Sequence, residues 1–287
     1  MLAALLDLVL PPRCAGCGEP DALVCPLCME EILRDPAERP PDPPPPDLPE
    51  CWSATRYDGA ARRLLLAYKE RGRTALAPVL SAVLAEVAEA ALAGSAAGTG
   101  ARTGARTVAG TVAGIVASGP ITLVPVPSAR AAARRRGHDP VGVIAARAAA
   151  LLRRRGLPAT SAPMLRQARR VADQAGLSST QRAANLCGAF EVVPGRAGPA
   201  GPSGGRAATV LLVDDIVTTG ATLAEAARAI RETGAKVPLA LTVAATGRSH
   251  HRERPSHGES QRTKRPGKDR IRRATRLRDG DHVDDRR

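Results

Sequence analysis

The sequence predicts an α/β fold in which a parallel sheet is flanked by helices, preceded by a small cysteine module and followed by a basic tail. Short apolar runs that favour strands alternate with longer amphipathic segments that favour helices, an order typical of parallel sheets. Four cysteines near the N-terminus form two close pairs, and a proline-dense segment separates them from the rest. These observations indicate one main domain with appendages.

Composition limits the core and the partners. The chain has 287 residues, of which 44% are hydrophobic and only 1% aromatic, so its core has to be built from Ala, Val, Leu and Ile. Binding of nucleic acid by base stacking is poorly supported for the same reason. The net charge of +14 suggests an anionic partner, but the last 40 residues hold 14 Lys or Arg against 7 Asp or Glu and so carry half of it.

The chain divides into segments of different composition. We predict a zinc-ribbon-like module at 1–35, a proline-rich linker at 36–50 that acts as an extended spacer, and the main domain at 51–247. Residues 94–119, in which the sequence GART occurs twice, are predicted to be a flexible insert. The tail at 248–287 has no aromatic residue and is predicted to be disordered, as a solvated appendage rather than a nucleic-acid arm.

The location is predicted to be cytoplasmic, without membrane insertion. No run of 18 apolar residues occurs, and the opening sequence MLAALLDLVLPP lacks the basic region and the cleavage site of an export signal. Close cysteine pairs are typical of metal binding in a reducing compartment.

Each element is predicted from its pattern of apolar residues. Leu2–Val9 favours one or two helical turns, and Cys51–Gly72 favours a strand leading into a helix with Leu64, Leu65 and Tyr68 as its apolar stripe. The further predicted helices are 75–92, 141–154 with Val143, Ile144, Ala148, Leu151 and Leu152 available to pack, and 222–232 ended by Gly234. The further predicted strands are 121–126, a strand end within 164–170, 188–193, 209–213 and 239–245.

The sequence VLLVDDIVTTGATL, residues 210–223, combines an apolar strand, an acidic pair and a loop that enters a helix. Asp214 and Asp215 follow the strand, at the edge where open α/β sheets bind ligands. The loop supplies the hydroxyls of Thr218, Thr219 and Thr222, a close turn at Gly220, and the free N–H groups of a helix start. This pattern predicts an anion site that includes Ala221.

Adjacent carboxylates would repel a bare anion, so they favour a ligand that also carries hydroxyls or a divalent cation. The alternative interpretation is an ordinary strand, turn and capped helix with two surface acids.

A second candidate loop is LVPVPSARAAARRRG, residues 123–137. Val126, Pro127 and Ser128 follow a predicted strand, and Arg130 is the first of several arginines, so the loop is suited to hold pyrophosphate. The alternative is a solvated basic helix face. Later in the chain, Gln174, Arg182 and Asn185 are polar residues for which binding and solvation are equally good interpretations.

The cysteines Cys14, Cys17, Cys25 and Cys28 are spaced C-x2-C-x7-C-x2-C, which allows four thiolates to reach one tetrahedral Zn²⁺. We interpret this zinc as structural, because a module with so few apolar residues needs a metal to fold. The alternative is four unrelated cysteines. Cys51 and Cys187 are most simply buried apolar residues.

The order of these blocks resembles the ComF family of phosphoribosyltransferase-like proteins. The shared blocks are the cysteine module, the Lys69 and Gly72 pattern, VPVPS, RRRGHDP, residues 174–190 and VLLVDDIVTTGATL, over roughly residues 10–246. Family members usually have Arg-Gly-Phe-Asn where this chain has Arg136, Gly137, His138 and Asp139. His138 is either a phosphate contact or a surface loop residue.

The resemblance implies a type I phosphoribosyltransferase fold that binds phosphoribosyl diphosphate (PRPP) with Mg²⁺. It implies that Asp214 and Asp215 contact the ribose hydroxyls and that residues 218–222 hold the 5-phosphate. It also implies a link to DNA uptake in competence, with single-stranded DNA or DNA-uptake proteins as partners. The enzymatic interpretation is phosphoribosyl transfer to an unknown acceptor, and the alternative is a non-catalytic binding or assembly protein of the same fold.

Overall fold

A computed structural model of the chain describes residues 12–97, 120–128, 139–169, 185–195 and 209–247. The predicted helical turns at Leu2–Val9, residues 98–119 of the predicted insert and the tail at 248–287 lie outside these ranges.

Five helices and nine strands occur in the described ranges. The helices are α1 (Pro26–Leu33), α2 (Gly59–Lys69), α3 (Ala77–Ala97), α4 (Pro140–Arg154) and α5 (Ala221–Arg231), with a short 3-10 turn at Thr74–Leu76. The strands are β1 (Ala37–Glu38), β2 (Glu50–Arg56), β3 (Ile121–Pro125), β4 (Ala159–Ser161), β5 (Leu165–Gln167), β6 (Phe190–Val192), β7 (Thr209–Val213), β8 (Ile216–Val217) and β9 (Lys236–Ala245).

The main sheet has the order β1-β2-β9-β7-β3-β4, and β8 continues beside β9 beyond the end of β7. All of these neighbours pair in parallel except β1 and β2, which are antiparallel. Strands β5 and β6 form a separate antiparallel pair. The predicted α/β architecture with a mostly parallel sheet and flanking helices is therefore confirmed.

Both faces of the sheet are covered, which explains why the central strand is apolar throughout. Leu211 and Val213 of β7 belong to an apolar layer with α2, α3 and α4, and Val210 and Leu212 belong to a second layer with α5 and β6. Because both faces of such a strand are buried, its residues are apolar throughout and do not alternate with polar ones. The end of β7 is consequently a fixed point of the core.

Helix α3 packs with the sheet and with α4 in the first layer. The stretch Thr74–Gly94, which comprises the 3-10 turn and most of α3, is apolar enough to cross a membrane by length and composition, and no other helix of the described residues is. However, 61% of its most apolar stretch is buried inside the protein. Its apolar character is thus accounted for by its place in the core.

Three local predictions differ from the structure. Gly94 does not begin a loop: α3 continues to Ala97, and a Cβ at Gly94 would collide with the ring of Trp52. Val143 was expected to pack, but its side chain is 36% exposed, because the buried face of α4 is formed by neighbours such as Ile144. Cys187 is exposed, whereas Cys51 is buried as predicted.

The proline-rich segment packs against the main domain over part of its length, although its proline content predicts an extended spacer. Strand β1 pairs with β2, the backbone N–H of Arg39 donates to Cys51 O at 2.7 Å, and its guanidinium donates to Ser53 O at 2.8 Å. Pro41 and Pro49 are buried. Because β2 uses one edge for β9, its other edge is free for β1. The domain boundaries themselves stay predictions.

We predict that Ile144→Ala and Val143→Ala, one residue apart on α4, differ sharply in stability. Ile144 is fully buried, so its truncation should lower the free energy of unfolding by about 2–5 kcal/mol. Val143→Ala should change it by less than about 1 kcal/mol, as a surface position does. Urea unfolding of both variants measures this, and equal losses would contradict the observed orientation of α4.

Candidate functional site

The acidic pair lies immediately after β7, where the neighbouring strand holds its backbone. The N–H of Asp214 donates to Leu241 O at 3.1 Å, and the N–H groups of Val243 and Ala244 donate to Asp215 O at 3.1 and 3.2 Å. These bonds continue the pairing of β7 with β9 for two residues beyond the strand. The two carboxyl groups are therefore positioned by the core of the sheet.

The two carboxylates have different surroundings. Asp215 is buried, and Lys69 Nζ lies 2.6 Å from its Oδ2. Asp214 is partly buried, and its Oδ1 accepts a hydrogen bond of 2.8 Å from the N–H of Asp215. Desolvation and then the adjacent charge of Asp215 raise the pKa of Asp214 well above its usual value, while Lys69 acts in the opposite direction.

The loop after the acidic pair has the geometry of an anion site. Thr218 is exposed, and Thr219 and Thr222 are partly buried. Gly220 precedes α5 with φ of +74°, and among the described residues no side chain caps the helix. The first N–H groups of α5 have no partner within the helix and carry its positive dipole end, so they are suited to a phosphate.

One side of this loop is covered by the proline-rich segment. A Cβ added to Gly220 would lie 3.0 Å from Pro41 Cγ and 3.1 Å from both methyl groups of Leu48. Arg231, at the other end of α5, donates to Asp47 O at 2.6 Å. The loop is thus braced by residues almost 180 positions earlier in the chain.

The second predicted loop lies beside the first. The N–H of Val126 donates to Val213 O at 2.8 Å, which extends the pairing of β3 with β7. Pro127 and Ser128 follow, both partly buried, next to the strand that ends at the acidic pair. The structure therefore brings residues 126–128, the acidic pair and residues 218–222 to one edge of the sheet. Arg130 and His138 lie outside the described residues.

The described chain resumes at Asp139, directly before α4. Its Oδ1 is buried and has no hydrogen-bond partner among the described residues. The phenol of Tyr68 donates to Pro140 O at 3.0 Å, and burial followed by the charges of Asp139 and Asp215 raises the pKa of Tyr68 to about 12. Asp139 therefore adds negative charge beside Tyr68, the residue that precedes Lys69.

Of the predicted block at 174–190, the described residues pack in the core or bond to the backbone. Leu186, Ala189 and Phe190 are buried in the second apolar layer. Asn185 O accepts a hydrogen bond of 2.9 Å from Arg169. Gln174 and Arg182 lie outside the described residues.

Sequence reasoning missed the contribution of Lys69 to this site. Its position at the end of α2 gave no reason to pair it with an aspartate 146 positions later, and the only signal was its place in the family pattern of Lys69 and Gly72. Pro41 and Leu48 were missed because proline-rich segments usually form spacers.

The four N-terminal cysteines converge as their spacing predicts. Their Sγ atoms all lie within 4.8 Å of one another, compared with the roughly 3.8 Å between sulfurs that Zn–S bonds of about 2.3 Å give in a tetrahedron. Backbone N–H groups of Cys25 and Gly16 point at Cys14 Sγ at 3.2 and 3.4 Å. Although burial alone raises the pKa of Cys14, such backbone hydrogen bonds lower it to about 6, which favours the thiolate.

These observations fit a structural zinc site. Four thiol ligands complete a tetrahedron and leave no open position for a substrate. The cluster is docked on α2: Arg63 Nε donates to Gly16 O, and Glu31 accepts a hydrogen bond of 2.9 Å from the N–H of Ala60. A metal at this site would hold α1 against the helix that carries Lys69.

Comparison with known proteins bears on the second half of the chain. Residues 143–270 match the family model of the phosphoribosyl transferase domain. This part of the chain is similar to phosphoribosyl transferase domains. The match includes the acidic pair and the loop at 218–222, and leaves out the cysteine cluster. No curated protein sequence matched the chain.

We predict that the purified protein contains one zinc per chain and that Cys14→Ser loses it together with thermal stability. Apolar residues of α1 alone supply too little burial to fold the module without a metal. Cys187→Ser is the matched control, since Cys187 is exposed and outside the cluster. Elemental analysis and thermal unfolding measure both effects, and a stable, zinc-free parent would contradict the assignment.

We predict that Gly220→Ala destabilises the protein more than Gly234→Ala. Both glycines have positive φ, at which alanine costs on the order of 1 kcal/mol or more. Only at Gly220 would the new Cβ also press on Pro41 and Leu48, whereas nothing lies within 4 Å of it at Gly234. Urea unfolding compares the two, and equal losses would show that the proline-rich segment does not brace the loop.

Proposed function

We propose that this protein is a ComF-like phosphoribosyltransferase that binds PRPP with Mg²⁺ and transfers the phosphoribosyl group to an acceptor. The observation that supports it best is the adjacency of an acidic pair and an uncapped helix start at the end of β7. The carboxylates can accept hydrogen bonds from sugar hydroxyls, and the N–H groups at the helix start can donate hydrogen bonds to a phosphate. Both lie at one edge of the sheet, an arrangement that suits a sugar phosphate. The similarity of residues 143–270 to phosphoribosyl transferase domains agrees with it.

In this proposal each group has a separate task. Asp214 and Asp215 accept hydrogen bonds from the ribose hydroxyls, and Thr218 to Thr222 hold the 5-phosphate through hydroxyl and N–H groups. The residues assigned to the pyrophosphate are Val126, Pro127, Ser128 and Arg130. The acidic pair suits hydroxyls better than a metal, because Asp215 is already paired with Lys69 and Asp214 already accepts a backbone hydrogen bond.

The reaction is a substitution at the anomeric carbon. The bond from this carbon to the pyrophosphate oxygen breaks, pyrophosphate leaves with the electron pair, and the acceptor forms the new bond and releases its proton. Mg²⁺ bound to PRPP would neutralise charge on the leaving pyrophosphate. The protein's own part is to fix the sugar while positive charge develops on it, for which the two carboxylates are placed.

The remaining features fit the same proposal. The zinc module is structural, and the location is cytoplasmic, where PRPP and reduced thiols occur together. The link to DNA uptake rests on the resemblance to the ComF family, with single-stranded DNA or DNA-uptake proteins as partners.

We predict that Asp214→Asn and Asp215→Asn each weaken PRPP binding at least about tenfold. An amide is a poorer acceptor than a carboxylate for the ribose hydroxyls, and tenfold corresponds to about 1.4 kcal/mol. Calorimetric titration with PRPP and Mg²⁺ measures the affinity, with Glu232→Gln at the exposed end of α5 as the control. No binding by the parent, or unchanged affinity in both variants, would refute the proposal.

We predict that any binding of single-stranded DNA to the full chain comes from the net positive charge of the tail at 248–287 and not from a site built for DNA. Binding should weaken steeply with salt, as phosphate contacts do, and should largely disappear in a chain that ends at Gly247. Fluorescence anisotropy at several salt concentrations measures both. Binding that persists after truncation would instead indicate a specific DNA site within residues 1–247.

A further inference from the structure

The pair formed by Lys69 and Asp215 differs from an ordinary surface salt bridge. Lys69 Nζ lies 2.6 Å from Asp215 Oδ2, the aspartate side chain is 5% exposed, and the lysine side chain is 25% exposed. No other described residue is a hydrogen-bond partner of Oδ2. The ammonium therefore compensates a carboxylate that water reaches poorly, and a buried carboxylate that loses such a partner is strongly disfavoured.

The position of Lys69 is fixed by its own helix. Leu64, Leu65 and Tyr68 of α2 are buried in the first apolar layer. The phenol of Tyr68 binds Pro140 O at the start of α4. Because Lys69 directly follows this anchored tyrosine, its ammonium is delivered to the end of β7 by packing.

The charge around Lys69 explains why a cation is needed there. Asp214 and Asp215 are adjacent, and Lys69 lies against the second of them. A site intended for a phosphorylated sugar would repel its ligand if these charges were uncompensated. A lysine held on Asp215 keeps the carboxylate oriented and offsets part of the negative charge.

We propose that Lys69 is a positioning residue of the sugar site, which fixes the Asp215 carboxylate so that it can accept the ribose hydroxyls. This inference rests on the proposed function. With Oδ2 facing the ammonium, the carboxylate is held in one orientation. Helix α2, which lies outside the matched residues 143–270, thereby contributes to the acidic pair, which lies within them.

The test is a double-mutant cycle on PRPP affinity with Lys69→Met, Asp215→Asn and the double variant. If Lys69 acts through Asp215, Lys69→Met should weaken binding about tenfold in the parent and less than about twofold in the Asp215→Asn background. Lys69→Arg keeps the cation and should stay within about threefold of the parent. Titrations are made at a temperature where thermal unfolding shows every variant folded.

The control is Lys236→Met, at the exposed first residue of β9, which should leave affinity unchanged. Losses that multiply in the double variant would overturn the inference, because Lys69 would then contact the ligand on its own. Unchanged affinity in Lys69→Met with a parent that binds would overturn it too, while the proposed function would stand. A parent that does not bind PRPP overturns both.

Discussion

A carboxylate that is buried at the end of an apolar strand needs a compensating positive charge. Here that charge comes from a part of the chain that is distant in sequence. Asp215 is buried because β7 is covered on both faces, and its charge is met by Lys69 from a helix early in the chain. That helix has to be docked correctly for the pair to form. The packing of α2 with the cysteine cluster on one side and α4 on the other thus serves the acidic pair.

The core that positions these helices contains almost no aromatic residues. Alanines fill much of the contact between α3, α4 and the sheet, and their small size lets the helices approach closely. Glycine is used in the same way at residue 94, where α3 meets the ring of Trp52. A close-packed layer of small side chains contains little empty space, so the displacement of one helix or strand displaces the elements packed against it.

Local patterns predicted the strands and helices well, because an apolar strand such as β7 or an amphipathic helix such as α2 carries its signal within a few residues. The two candidate loops and the cysteine cluster were predictable for the same reason. Lys69 was not, since its partner is distant in sequence and a lysine at a helix end usually faces solvent. Val143 illustrates a smaller limit: one residue of helix rotation decides which of two adjacent apolar residues is buried.

The contact of Pro41 and Leu48 with Gly220 affects where the chain can be truncated without loss of structure. A fragment that begins at residue 51 would keep every motif of the proposed sugar-phosphate site. It would, however, expose one side of the loop at 218–222 to water and remove Asp47, one of the hydrogen-bond partners of Arg231. The loop would then have more conformations available in the free protein. Ordering it on binding would cost conformational entropy and so lower the affinity for a ligand. In this molecule the boundary suggested by proline content is a poor place to cut.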